Sequence, residues 1–188
     1  MPKSVAITKE MITKTAVAII REAGLEGLTA RNIAYKLKCS TQPIYKAYEN
    51  MDELKEAVSK NIAGIIIQEI VGYRKTGQKF LDSGMGYINF AKTEKVLFKT
   101  FCLENRDHGS IQKDISNEPI RELMDQELEA RSLSKSSRDR IFLQTMISTY
   151  GLAVLAFLDQ LELEENDIAD LLIEFFESYV SRELGREK

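Results

Sequence analysis

A chain of 188 residues with 44% hydrophobic side chains can bury a real core, and only three prolines and ten glycines exclude a disordered or repetitive polymer. One histidine, His108, and two distant cysteines, Cys39 and Cys102, exclude a disulfide framework and a zinc site of ordinary spacing. The net charge of −3 is unevenly spread: residues 1–50 carry eight Lys/Arg against four Asp/Glu, and residues 51–188 eighteen against twenty-five. A polyanion would therefore meet the first segment and be repelled by the second.

The stretch MPKSVAITKE lacks the long apolar run of a secretory signal, so a reducing cytoplasm is the expected location. From Glu10 onward Ile12, Ala16, Ile19, Ile20 and Ala23 recur at helical spacing, with Gly24 as the stop. After the loop LEGL, Thr29 caps a second, short helix whose buried face is Ile33, Ala34 and Leu37. Lys38 and Cys39 turn into Ser40, the expected N-cap of a third short helix with Pro43 at N3. In that helix Ile44, Ala47 and Tyr48 make a narrow apolar stripe, opposite Thr41, Gln42, Tyr45 and Lys46. The second set is small, polar, aromatic and cationic, which suits base edges and phosphates in a major groove. Three helices so spaced have helix-turn-helix geometry.

The pattern Gly24, Leu28-Thr29, Ile33-Ala34, Cys39-Ser40, Ile44-Tyr45, Tyr48 and Asp52-Glu53-Leu54 resembles the tetracycline-repressor (TetR) family of bacterial transcriptional regulators over roughly residues 8–60. Tyr87 to Phe101 is similar to one of that family's C-terminal domain types. Two positions depart from the family: Met51 stands where it usually has lysine, and Lys38 where a small turn residue is usual. Phosphate contacts are expected from Thr29, Arg31, Thr41, Lys46 and Tyr48, and base contacts from Gln42 and Tyr45. Ser40, Pro43 and Lys55 complete the surface expected to meet a double-stranded DNA operator.

Beyond Tyr48, Asn50 to Glu53 reads as a capping box that opens a long helix, about Asp52 to Arg74, with Leu54, Val58, Ile62, Ile65, Ile66 and Tyr73 along one side. Gly77 ends that pattern, and helices are expected over Gln78–Thr93, Lys95–Glu104 and Pro119–Arg131. A loop at Asn105–Ser110, a helical turn at Ile111–Ser116 and a linker at SLSKSS separate them. Ile141 to Leu158 is apolar on nearly every side. Its few polar groups and charged ends make it a helix buried all round, completed by a partner chain, and not a membrane span. Asn166 to Glu183 follows as an amphipathic helix. These two helices and their symmetry mates are expected to form a four-helix homodimer interface through Leu152, Leu155, Leu172, Phe175, Phe176 and Tyr179.

The expected fold is thus all-α, about nine helices, with a helix-turn-helix domain over residues 1–50 and a larger effector-binding and dimerisation domain over residues 51–188. Phe90, Phe101, Met146, Thr149 and Tyr150 belong to a stretch rich in methionine and aromatic residues. Core packing explains such a density, while the family resemblance implies that these residues line a cavity for a small, hydrophobic effector. His108 beside Asp107, the carboxylates of LELEEND and Cys39 form no catalytic or metal constellation, so no enzyme activity, metal or cofactor is expected. The function these readings imply is a ligand-responsive repressor that binds a near-palindromic operator as a dimer and is released by its effector. The alternative is a DNA-binding regulator without an effector, acting through a protein partner or as an activator. In the first case the long helix from about Asp52 would carry a ligand-induced tilt to the DNA-reading end.

Overall fold

Side-chain caps decide where four of the described helices begin. The computed structural model describes residues 6–104 and 118–187, so His108, the loop expected at 105–110 and the turn expected at 111–116 lie outside the described residues. Nine α-helices and no strand occur among them, in the all-α class. They gather into two compact units, one holding the chain up to Ile65 together with the stretch from Val96, the other Ile66–Lys95 together with the later helices. The sequence division fell at residue 50. No breaker marks the observed one, because the long fourth helix runs through it unbroken.

In the first unit, the Thr8 hydroxyl accepts from the Met11 N–H and opens α1 (Lys9–Ala23), which ends at Gly24 with φ 67. Ile12, Ala16, Ile19 and Ile20 are buried as expected, whereas Ala23 faces solvent. The LEGL loop is a 3₁₀ turn, Leu25–Gly27. Thr29 caps α2 (Ala30–Leu37) by accepting from the Asn32 N–H at 3.1 Å, and Ile33 and Ala34 are buried beneath it. Lys38 then adopts the left-handed region, φ 52 and ψ 44, and reverses the chain.

The start of α3 (Gln42–Ala47) differs from expectation. Thr41, not Ser40, is the N-cap, and Pro43 is at N2 rather than N3. The first carbonyl to accept inside the helix is that of Thr41, from Ile44 and Tyr45. A proline at N2 removes one of the two N–H groups a capping hydroxyl would use, and no side-chain cap forms. Helix α4 (Met51–Gly72) opens on Asn50, whose Oδ1 accepts from Asp52 and Glu53. Glu53 returns not to the Asn50 N–H but to that of Glu49, at 2.6 Å. The core of this unit includes Ile44, Tyr48, Leu54, Val58 and Ile62, with Leu97, Phe98 and Phe101 from the returning stretch. That stretch begins as α6 (Lys95–Leu97) and widens at once into π-helical turns, Phe98–Leu103.

The second unit holds the end of α4, α5 (Lys79–Thr93), α7 (Glu118–Leu128), α8 (Lys135–Phe157) and α9 (Glu165–Arg186). Helix α5 lies against α7, α8 and α9. Phe80 sits among them with its ring 5.4 Å from Phe176 and 6.5 Å from Phe142. Burying each such ring is worth about 1.5–3 kcal/mol. The turn before α5 is fixed by Asp82, fully buried, whose Oδ1 accepts from the N–H groups of Lys75 and Thr76 and from the Thr76 hydroxyl.

Helix α8 is longer than its apolar run. Ser134 caps it by accepting from the Ser137 N–H, so half of the expected SLSKSS linker is helical. Among the described residues α8 alone has the length and hydropathy of a membrane span. Within the single chain one of its sides is covered, and the burial all round expected from the sequence would need a partner chain on the other. Ile141, Thr145, Thr149, Leu152 and Ala156 are covered by its own unit, while Leu143, Ile147, Tyr150, Leu155 and Leu158 stay open, at 40 to 63% exposure. The two sets fall on opposite sides of the helix at 100° per residue. Three residues expected at an interface between copies, Leu152, Leu172 and Phe176, are therefore core residues of this chain, because α5 occupies that face.

Candidate nucleic-acid interface

Three exposed cations of the first unit lie in the stretch from α2 to α3. Lys9 pairs with Glu53, Lys14 with Glu10, Lys36 with Glu22 and Lys55 with Asp52. Arg31, Lys38 and Lys46 have no ion-pair partner among the described residues, and all three are exposed. They belong to the start of α2, the turn after it and the end of α3. Unpaired cations on two consecutive short helices give a surface that attracts phosphates without first breaking a pair.

On α3 the sequence division into faces holds. Gln42, Tyr45 and Lys46 are exposed, Thr41 and Pro43 half-buried, and Ile44 fully buried. Tyr45 also lines a shallow depression of about 420 Å³ with Thr29, Arg31, Met51 and Lys55. Five residues from three helices and a cap thus meet at one spot, with a guanidinium, an ammonium, a hydroxyl and a phenol at its rim. Met51 supplies no charge there, and Lys55, one helical turn later, is the cation that α4 offers. Ser40 is exposed in the turn before α3.

Tyr48 is the exception among the expected contacts. It is only 4% exposed, and its hydroxyl lies 2.8 Å from the Thr13 hydroxyl on α1. A phosphate cannot reach it, so it belongs to the core and not to the contact surface. A phosphate contact is the expectation from sequence because nothing local shows that α1 supplies a partner for the polar tip. Conversely, Tyr35 was missed. It is 85% exposed on α2, four residues after Arg31, and its place opposite Ile33, Ala34 and Leu37 on the helical wheel was the available signal.

The five residues expected around an effector are divided between the two units. Phe90 and Thr149 are buried in the second unit, Met146 is half-buried, and Tyr150 lies on the open face of α8. Phe101 belongs to the first unit. Two polar atoms on α8, Gln144 Oε1 and Thr145 Oγ1, are buried and unpartnered, and Thr149 lies one turn beyond Thr145.

A helix-turn-helix unit with a cationic third helix, joined to a larger helical unit, defines an architecture seen in solved structures. A TetR-family regulator from Vibrio parahaemolyticus superposes with a TM-score of 0.65 at 15% identity, covering 90% of this chain and 97% of that one. One from Mesorhizobium loti gives 0.65 at 14% identity, over 92% and 95% of the two chains. A third, from Haemophilus influenzae, gives 0.64 at 18% identity over 90% and 94%. No protein-family model matches the sequence, and no curated protein matches it. The chain has the fold of the TetR-family transcriptional regulators.

Proposed function

We propose that this protein is a dimeric, ligand-responsive transcriptional repressor that reads a near-palindromic operator through α3. The observation that carries the reading is the exposed set Gln42, Tyr45 and Lys46 beside the unpaired Arg31 and Lys38, in a fold shared with transcriptional regulators. In this reading Gln42 and Tyr45 meet base edges, while Thr29, Arg31, Thr41, Lys46 and Lys55 hold phosphates. Residues 1–50 supply the reading head, and residues 51–188 the effector and dimer functions. No catalytic step is assigned to any residue, and the expected location is the cytoplasm.

Dimerisation is supported by the open stripe Leu143, Ile147, Tyr150 and Leu158 on α8, which also carries Gly151 with nothing within 4 Å of a Cβ built there. Phe175 and Tyr179 of α9 extend it, half-buried and stacked with ring centroids 6.4 Å apart. A helix-turn-helix dimer reads two half-sites about one DNA turn apart, which is why a near-palindromic operator is expected. The effector reading is supported by Gln144 Oε1 and Thr145 Oγ1, buried acceptors that a mostly apolar ligand with a donor group would satisfy. In that reading an unbroken α4 would carry the ligand's effect to α3.

Selection from a random-sequence duplex pool tests the reading. Enrichment of a two-fold symmetric sequence is expected. Gln42→Ala should then change the preference at one base pair per half-site by about 1–3 kcal/mol. Lys46→Ala should weaken binding to selected and random duplexes alike. A pool that remains unenriched overturns the proposal.

A further inference from the structure

The end of the recognition helix is held from outside the helix-turn-helix, by the first turn of α1. Thr13 Oγ1 lies 3.0 Å from the Lys9 carbonyl, to which its single hydroxyl hydrogen is donated. At the 2.8 Å contact with Tyr48 the donor must therefore be the phenol, which gives a chain from Tyr48 to Thr13 to the Lys9 backbone. The same Lys9 extends its ammonium over the Tyr48 ring, 4.6 Å from the centroid, and on to Glu53 Oε1 at 3.4 Å. Glu53 in turn accepts from the Glu49 N–H, one residue after Tyr48, and this bond together with Lys9 holds its carboxyl below the ordinary carboxylate range. Tyr48 is the C-cap of α3, where the backbone leaves the helix at φ −133. It is thus gripped at its tip, on its face and just beyond its own backbone.

From this closed network we infer that Thr13 and Lys9 are positioning residues for operator recognition: they fix the angle at which α3 presents Gln42 and Tyr45. A hydrogen bond and a cation over a ring are directional, whereas the apolar contacts of Ile44 tolerate rotation. Removing either leaves α3 attached to the core but free to roll. Phosphate contacts through long Lys and Arg side chains survive such a roll. Contacts to base edges do not, because their geometry has to be met to within a few tenths of an ångström.

This rests on the DNA-binding reading above, and its test separates the two. Tyr48→Phe and Thr13→Val remove the polar contact with little change of volume, and Lys9→Met removes the cation while keeping the stem. Affinity is measured for the duplex selected by the wild-type protein and for a random-sequence duplex. Each variant should lower the first by roughly tenfold and leave the second within about twofold. The double variant Thr13→Val, Tyr48→Phe should recover the thermal stability lost in Thr13→Val, where the Tyr48 phenol is left without its acceptor, without recovering the preference. A purely structural bond would behave otherwise, with preference and stability returning together. Either that joint recovery or an unchanged ratio in the single variants overturns the positioning role. A wild-type protein that enriches no sequence overturns the DNA-binding reading and this one with it.

Discussion

Gly86 and Ile70 approach so closely that a Cβ built on Gly86 would lie 2.7 Å from the Ile70 carbonyl oxygen and 2.9 Å from its Cα. Both atoms are backbone, in the last turns of α4, so no rotamer change could relieve the clash. Gly86→Ala should therefore destabilise by about 1–3 kcal/mol, despite the better helix propensity of alanine. Thermal unfolding followed by circular dichroism checks this, and an unchanged midpoint would mean that α4 and α5 separate at little cost. At Gly84 the nearest contact would be 3.4 Å, to the Thr149 hydroxyl, so alanine there is tolerated and serves as the control.

Lys38 pays a backbone cost for its position. A non-glycine residue in the left-handed region is disfavoured by roughly 1–2 kcal/mol, part of which glycine would lose again through its freer unfolded chain. Lys38→Gly should raise stability by up to ~1 kcal/mol. Because Lys38 is an exposed, unpaired cation, the proposed DNA-binding function predicts that the same change flattens the salt dependence of duplex binding by about one unit. Chemical denaturation and a salt titration read the two effects separately.

The two sides of α8 and α9 make opposite predictions. Ile147 is 63% exposed, so Ile147→Asp should leave the chain folded but, under the proposed dimer, yield monomers in sedimentation. Phe176 is 2% exposed against Phe80, and Phe176→Asp should unfold the chain instead. A dimer that persists in Ile147→Asp would move the interface off the open face.

Acid should weaken the second unit at Glu183. Its side chain is fully covered, and Arg140 foremost, with the Ser137 hydroxyl and Arg186, holds the carboxyl below its ordinary value against the opposing effect of burial. A carboxyl with a lowered folded-state pKa adds stability that is complete above the unfolded value and is lost as the pH falls through the folded one. Glu177, held low chiefly by the two-pronged Arg131 at 2.8 and 2.9 Å, works in the same direction. Glu183→Gln should lower the thermal midpoint at neutral pH and shrink its fall between about pH 5 and pH 3. An acid limb as steep as that of the wild type would remove Glu183 from the account.

Much of this structure is local, and therefore legible in the sequence. Thr29 at a cap, the Ile12–Ile20 stripe and the exposed Gln42, Tyr45 and Lys46 follow from spacing alone, because a helix converts spacing directly into faces. What stayed hidden depends on distant partners. The Tyr48 hydroxyl finds Thr13 35 residues earlier, and a phenol looks the same in sequence whether its tip meets water or another helix. Helix α8 is apolar on both sides, so its pattern cannot say which half its own chain covers. The answer lies in α5, some fifty residues earlier.

The order in which the chain is made has a bearing on the first unit. Its first 65 residues leave the ribosome well before Leu97, Phe98 and Phe101, which complete the same unit from beyond α5. Thr100 comes to lie 3.7 Å from a Cβ built on Gly24, at the end of the first helix, so the returning stretch reaches back to the oldest part of the protein. At about 5–20 residues per second the nascent first unit spends a few seconds with that side of its core uncovered. During those seconds it displays apolar surface to chaperones and to neighbouring nascent chains, and its core closes only when the sequence past Phe101 has emerged.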